Sequence, residues 1–122
     1  MIQTESRVLV ADNSGAKEAL VFSILKGNSR SATVGDVVNV AIKKVLPNGS
    51  IKKWDTSRAV IVRTVKEIKR KDGTYIRFGD NAVALIDKAT GKPLGKRIFW
   101  PVARELREKW FKDLAWLAEE VI

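Results

Sequence analysis

The sequence contains no cysteine and no histidine among its 122 residues. Without cysteine, neither disulfides nor a thiolate metal site supports the fold, and a reducing compartment is compatible with the chain. The missing imidazole removes the usual general base and one of the commonest ligands of transition metals. The chain therefore lacks the catalytic residues and metal ligands that most hydrolases and zinc enzymes use. We expect a protein that is not an enzyme and that uses no metal and no other cofactor.

Long apolar runs and targeting signals are also missing. No stretch approaches the roughly twenty apolar residues that a membrane-spanning helix needs. The N-terminal residues carry an early acid, Glu5, and only a short apolar run, which does not fit a secretory or transit signal. We therefore expect no membrane partner. At 122 residues we expect one domain, large enough for a modest core.

Positive charge is abundant and is concentrated in the middle of the chain. The formal net charge is +9, yet residues 1–36 are balanced. Residues 43–97 hold fifteen Lys and Arg against five acids, whereas residues 104–122 hold four against five. Charge concentrated in this way is the electrostatic footprint of a nucleic-acid-binding protein.

The stretch around which we expect the fold to be organised is 57–86, two apolar runs joined by a basic arm. The β-branched run at 59–62 is typical of a strand inside a small barrel, and the alternation at 75–78 fits a half-buried strand. Asp72-Gly73 between them predicts a tight hairpin turn. Because a hairpin so rich in Lys and Arg cannot bury its tip, it should project into water or onto a polyanion. The alternative is a solvated edge whose lysines discourage aggregation.

Short apolar segments separated by Gly, Asn and Asp continue this pattern over the first part of the chain. They predict further strands at 7–10, 18–25 and 37–42, with turns or loops between them. This spacing predicts a mainly β protein with a small antiparallel β-barrel over about 1–86.

Residues 87–97 follow as a basic loop with two glycines, one proline and four Lys or Arg. Such a loop is either a flexible surface connection or a backbone that approaches phosphate closely, clamped by Lys96 and Arg97. Pro101 suits the first residue of a helix. Apolar residues at three- and four-residue steps then predict an amphipathic helix, or two short ones, in a C-terminal part over about 98–122 that closes one mouth of the barrel.

Several ordered motifs resemble those of one known family. They are ADNSGAK at 11–17, VGDVV at 34–38, RAVIVRT at 58–64, DGTYIRF at 72–78 and PVAREL at 101–106. Together they look like the successive signatures of the bacterial-type large-subunit ribosomal protein L-fourteen family. The resemblance runs from Met1 to Ile122 without a large insertion.

The resemblance implies a five-stranded β-barrel with a projecting basic hairpin and a short helical C-terminal segment. It also implies a structural constituent of the large ribosomal subunit that binds large-subunit rRNA and contributes to inter-subunit bridges with small-subunit rRNA. Its expected neighbours are another large-subunit ribosomal protein and, in bacteria, a ribosome-silencing factor. The ribosome would be the cytoplasmic one of a bacterium, or an organellar one if the chain is organelle-encoded.

The residues that we expect to contact rRNA combine matched motif positions with the basic central region. Recognition should rest on shape and backbone, because side chains cannot easily read the deep major groove of folded RNA. The expected set is Asn13, Ser14, Lys17, Lys43, Lys44, Lys52, Lys53, Arg63, Lys66, Lys69, Arg70, Lys71, Arg77, Lys96 and Arg97.

Three of the four tryptophans mark departures from the family pattern. Trp54 and Trp100 stand where the family commonly has glycine, and Trp116 begins a departure from a serine, leucine, alanine, proline run. Exposed aromatic rings usually indicate a partner surface. We therefore hypothesise that Trp100, Trp110 and Trp116 pack on a neighbouring protein. The alternative is that they pack against one another within the C-terminal helix.

Two other functions fit parts of the sequence. A free-standing RNA-binding barrel outside the ribosome would share the charge and the strands. Such modules stack bases on exposed aromatics, however, and only nine of the 122 residues are aromatic. An enzyme acting on nucleic acid would need a metal-binding acid cluster, yet the barrel candidates lie at expected turns or strand ends, where Asp is ordinary: Asp36, Asp55, Asp72, Asp80 and Asp87.

Overall fold

The computed structural model describes residues 2–3, 5–13, 15–25, 31–47, 54–70, 72–87, 92–95, 97–99, 101–104, 106 and 121. Within these residues the secondary structure consists of short and medium β-strands. They are β1 Ile2–Gln3, β2 Arg7–Val10, β3 Ala16–Ile24, β4 Ser31–Ala32, β5 Val37–Val45, β6 Thr56–Arg63, β7 Ile68–Lys69, β8 Tyr75–Ile76 and β9 Ala82–Ile86.

Five of these strands form a closed barrel in the order β2-β3-β5-β6-β9. Four neighbouring pairs are antiparallel. The barrel closes where β9 pairs in parallel with β2, with Leu9 opposite Ala82 and Val10 opposite Val83. The predicted five-stranded barrel is confirmed. It is mixed rather than purely antiparallel, because strand directions cannot alternate around a closed ring with an odd number of strands.

The barrel strands predicted from the sequence are present, with somewhat different ends. The run at 7–10 is β2, the run at 18–25 lies in β3, and the runs at 37–42 and 59–62 lie in β5 and β6. Outside the barrel, β7 and β8 form a hairpin around the predicted turn at Asp72-Gly73. The expected pairing of the runs at 59–62 and 75–78 is wrong, because β6 pairs with β5 and with β9, a strand that was not predicted separately. The pairing of β1 with β4 was not predicted, because two-residue strands have no periodicity to detect.

The core is built from small and β-branched side chains. Burial alternates along much of β3 and β5, as in strands with one face on a core. By contrast, β9 is buried at all five positions, and β6 is buried from Ala59 to Arg63. Continuous burial indicates covering on both faces. Ile98, Val102 and Leu106, from beyond the barrel, belong to the same buried cluster.

Most of the C-terminal part lies outside the described residues, including Trp100, Trp110 and Trp116. The described residues contain no helix with assigned bounds, so the helical segment over 98–122 stays a prediction. Val102 forms a parallel bridge to Val121, which ties this part of the chain together. Nowhere in the described ranges is there a helix long and apolar enough to cross a membrane.

Candidate nucleic-acid interface

The basic hairpin is an antiparallel ribbon of β7 and β8. Its root is anchored by Ile68 and Phe78, which are partly buried and pack against the barrel core. Lys69 and Arg77, each one residue away from these anchors, are exposed. The side-chain alternation of a strand thus places apolar groups on the barrel and cations in water.

The hairpin turn is fixed by hydrogen bonds, as Asp72-Gly73 predicts. The Gly73 N–H donates to the Arg70 carbonyl at 3.0 Å, and Gly73 has a φ of +87°, which favours glycine. Asp72 Oδ1 accepts from the hydroxyl of Thr74 at 2.6 Å and from its N–H at 3.0 Å. The hydroxyl bond is the main cause of a lowered pKa at Asp72, followed by the N–H bond and the charges of Arg104 and Arg70.

The hairpin presents most of its cations to solvent. Lys66, Lys69 and Arg77 are exposed, and Arg70 is half-buried. Tyr75 lies opposite Lys69 and exposes 59% of its surface. Exposed cations around an aromatic ring suit the phosphates and bases of RNA.

A second group of predicted residues surrounds a depression on the barrel with a volume of about 360 Å³. Asn13 and Lys17 line it together with Phe99. The Arg97 guanidinium lies 5.4 Å from the centre of the Phe99 ring, which brings another cation to the same place. Because Asn13, Lys17 and Arg97 are all exposed, they can reach an RNA backbone from one surface.

The segment that carries Arg97 is bound to the barrel. Asn13 donates its N–H to the Arg97 carbonyl at 3.1 Å, and its Oδ1 accepts from the Arg97 N–H at 3.2 Å. The buried Asp12 carboxylate accepts from the Leu85 N–H at 2.9 Å. A Cβ added at Gly95 would lie 2.9 Å from Asp12 Cβ. The described part of the 87–97 loop is therefore a packed segment and not a loose connection.

Arg63, one of the predicted rRNA contacts, lies inside the protein. Its side chain is only 4% exposed, and its Nε is 2.9 Å from Asp80 Oδ1. Its Nη1 donates to the carbonyls of Phe99 at 2.7 Å and Pro101 at 3.4 Å. Since these internal partners use the guanidinium, we assign Arg63 a structural role and leave it out of the RNA-binding surface.

The two predicted lysines at the end of β5 have different surroundings. Lys44 Nζ lies 3.4 Å from Glu18 Oε2, and Arg7 Nη1 lies 3.2 Å from Glu18 Oε1. Hydrogen bonds from Arg7 first and then Lys44 lower the pKa of Glu18. Lys43 Nζ instead lies 3.9 Å from the centre of the Trp54 ring. The charge of Lys44 is thus partly balanced within the protein.

Five other predicted rRNA contacts fall outside the described residues and stay predictions: Ser14, Lys52, Lys53, Lys71 and Lys96. Sequence reasoning also missed one cation. Arg104 is exposed, and its charge helps to lower the pKa of Asp72 at the hairpin turn. Because Arg104 directly follows the buried residues at 102–103, its exposure could have been expected. Its proximity to the hairpin could not, because no local pattern relates the two segments.

The aspartates considered for a metal-dependent enzyme have structural partners. Asp36 Oδ2 accepts from the Thr33 N–H at 2.9 Å, and Asp72 and Asp80 are bonded as described above. Among the described residues, no group of three or more His, Cys, Asp or Glu is placed to hold a metal ion.

A closed barrel that presents cations from a hairpin and from a packed segment belongs to the class of structural RNA-binding proteins. Residues 1–122 match the family model of Ribosomal protein L14p/L23e, and the chain therefore belongs to this family. The protein is accordingly a structural constituent of the ribosome, where it binds rRNA and has other ribosomal proteins as partners. The family resemblance seen in the sequence is confirmed.

Proposed function

We propose that the hairpin surface, Lys66, Lys69, Arg70 and Arg77, contributes to an inter-subunit bridge with small-subunit rRNA. We assign to the depression surface, Asn13, Lys17 and Arg97, the contacts with large-subunit rRNA. The observation that carries the proposal is the hairpin itself, a ribbon anchored at its root by Ile68 and Phe78 with cations on its outer side.

Bridging needs two RNA-facing surfaces on one rigid body. The closed barrel supplies the rigidity, because none of its five strands has an unpaired side. The Asp12 and Asn13 hydrogen bonds hold the depression surface to the barrel, while the turn at Asp72 keeps the hairpin in one shape. Both surfaces would contact phosphates, so affinity should depend on shape and salt more than on base sequence.

The remaining partners are part of the same proposal. A neighbouring large-subunit protein, or a ribosome-silencing factor, would contact the C-terminal part that carries Trp100, Trp110 and Trp116. The site of action would be the cytoplasmic ribosome of a bacterium or an organellar ribosome. The protein would act without catalysis. Membership of the family favours the ribosome over a free-standing barrel as the place where the RNA is bound.

The test is to rebuild large subunits with charge variants and to measure two properties separately. Retention on the large subunit is followed by sucrose-gradient sedimentation at raised salt. Association with small subunits is followed by light scattering. The hairpin variant carries Lys69→Gln and Arg77→Gln, and the depression variant carries Lys17→Gln and Arg97→Gln. The matched control, Arg7→Gln with Lys26→Gln, also removes two charges, but neither residue belongs to the expected rRNA contacts.

We expect the hairpin variant to stay on large subunits but to associate weakly with small subunits. The depression variant should leave the large subunit at lower salt than the control. If the hairpin variant associates normally with small subunits, the hairpin does not contribute to the bridge. Sedimentation of the unaltered protein away from large subunits would contradict the whole proposal.

A further inference from the structure

Trp54 combines an exposed ring with an unfavourable backbone. Its φ is +74°, in the left-handed region that bulky residues rarely adopt. The residue exposes 64% of its surface, so burial within the described chain does not compensate for this conformation. Glycine would occupy the position with less strain. A large ring held there at a cost to the backbone is a candidate for contact with another molecule.

The position of the ring is well defined. The Trp54 N–H donates to the Ile42 carbonyl at 2.7 Å, and the Ile42 N–H donates to the Asp55 carbonyl at 2.8 Å. This pair of hydrogen bonds holds the backbone of Trp54 against β5. Lys43 Nζ lies 3.9 Å from the ring centre, within the range of a cation–π contact. The ring is therefore presented from a turn whose backbone is hydrogen-bonded to β5, two residues before β6 begins.

The charged residues around the Trp54 ring indicate the chemistry of its partner. Residues 43–58 contain five Lys or Arg and one acid, Asp55. The described residues beside Trp54 at positions 43, 44 and 55 are charged, and this charge favours a polyanionic partner over an apolar protein surface. A flat ring among cations suits a nucleotide, whose base offers a π-face and whose phosphate offers a negative charge.

We propose that Trp54 is a stacking site for an unpaired rRNA base, and that Lys43 neutralises a phosphate beside it. This inference rests on the proposed function, since it takes the ribosome as the place of contact. It adds a contact with a base, whereas the hairpin surface and the depression surface would contact the RNA backbone. Bases outside a duplex are the ones that proteins stack on aromatic side chains.

Fluorescence tests the contact directly. In a variant with 5-hydroxytryptophan at position 54 alone, this residue can be excited separately from the tryptophans of all the other ribosomal proteins, and its quenching by acrylamide measures its accessibility. We expect accessibility to fall at least fivefold between the free protein and rebuilt large subunits. Unchanged accessibility in subunits that contain the protein would overturn the inference and leave the proposed function intact. Absence of the unaltered protein from the subunits would overturn both.

Ultraviolet cross-linking of rebuilt subunits that contain the unaltered protein identifies the partner. Mass spectrometry should find Trp54 linked to a nucleotide, whereas a link to a peptide would replace the RNA base with a protein partner and overturn the inference.

Substitutions at position 54 supply an independent measurement. Trp54→Gly should weaken binding to isolated large-subunit rRNA at least about fivefold, which is the lower end of the effect of removing one stacked base. Trp54→Phe keeps an aromatic ring and should restore most of the affinity. The thermal midpoint of free Trp54→Gly should equal or exceed that of the unaltered protein, which separates lost stacking from lost folding. Equal rRNA affinity of all three proteins would overturn the inference.

Discussion

Arg63 and Asp80 form an ion pair at the end of β6, with Arg63 Nε 2.9 Å from Asp80 Oδ1. The two sides of the pair are not equivalent, because the Arg63 side chain is 4% exposed and that of Asp80 is 33% exposed. A buried cation is costly unless it keeps its partners. Asp80 therefore serves chiefly to make the internal position of Arg63 stable.

This asymmetry predicts the effect of Asp80→Asn. The substitution keeps the shape but leaves a buried guanidinium without its anion, and we expect the free energy of unfolding to fall by about 2 kcal/mol. Arg63→Met removes the cation as well, so adding Asp80→Asn to it should cost little. Urea denaturation of both single variants and the double variant gives the coupling, which we expect to be about 1 kcal/mol or more. Additive effects would mean that the pair does not stabilise the fold.

Gly95 and Gly79 form a matched pair for testing how closely the backbone at Gly95 packs against Asp12. A Cβ at Gly95 would lie 2.9 Å from both Asp12 Cβ and Asn13 Oδ1, whereas one at Gly79 would meet no atom within 4 Å. Gly95→Ala should therefore destabilise the protein by about 1–3 kcal/mol. Gly79→Ala should change stability by no more than about 0.5 kcal/mol. Similar thermal midpoints for the two variants would show that the segment around Gly95 moves aside easily.

The turn at Asp72 should weaken in acid. Since the folded-state pKa of Asp72 is lowered, the ionised carboxylate is the form that stabilises the turn. This stabilisation is complete above the ordinary Asp pKa of about 3.9 and is lost as the pH falls through the lower folded-state pKa. An NMR titration of the Asp72 carboxyl and of the Thr74 amide follows it. Thr74→Val removes the hydroxyl bond and should move the pKa of Asp72 upward; an unmoved titration would contradict the assignment of that bond as the main cause.

Salt dependence should separate surface cations from the internal one. Lys69→Gln and Arg77→Gln should each reduce the slope of log affinity for rRNA against log salt by about 0.7–0.9, one phosphate contact each. Arg63→Met, measured where it is fully folded, should leave the slope unchanged because its guanidinium bonds within the protein. A reduced slope for Arg63→Met would mean that Arg63 contacts a phosphate of the RNA after all.

Much of the fold follows from local sequence signals. Short apolar segments between turn residues located four of the barrel strands, and Asp72-Gly73 located the hairpin turn because its chemistry is local. The ribosomal function was predicted from the order of the family motifs and from the positive charge concentrated in the middle of the chain. The mixed character of the barrel was also available in principle, since five strands in a ring require a parallel pair.

The features that the sequence could not supply depend on contacts between distant residues. Asn13 and Arg97 exchange hydrogen bonds across 84 positions of the chain. Arg63 ends an apolar strand, where a surface cation and a buried one have the same local pattern, and its partner lies 17 positions later. The contact between Lys43 and Trp54 likewise depends on how the chain returns to the end of β5.

The two pairings of β9 have a consequence for how the protein is made. β9 is the last barrel strand in the chain, and it covers the open sides of both β6 and β2. Until residues 82–86 leave the translating ribosome, the first four barrel strands can form only an open sheet with two exposed edges. Such edges pair readily with other chains. One five-residue strand thus ends the period in which a newly made copy is vulnerable to aggregation, and substitutions in β9 should reduce the yield of soluble protein more than equally buried substitutions in β3.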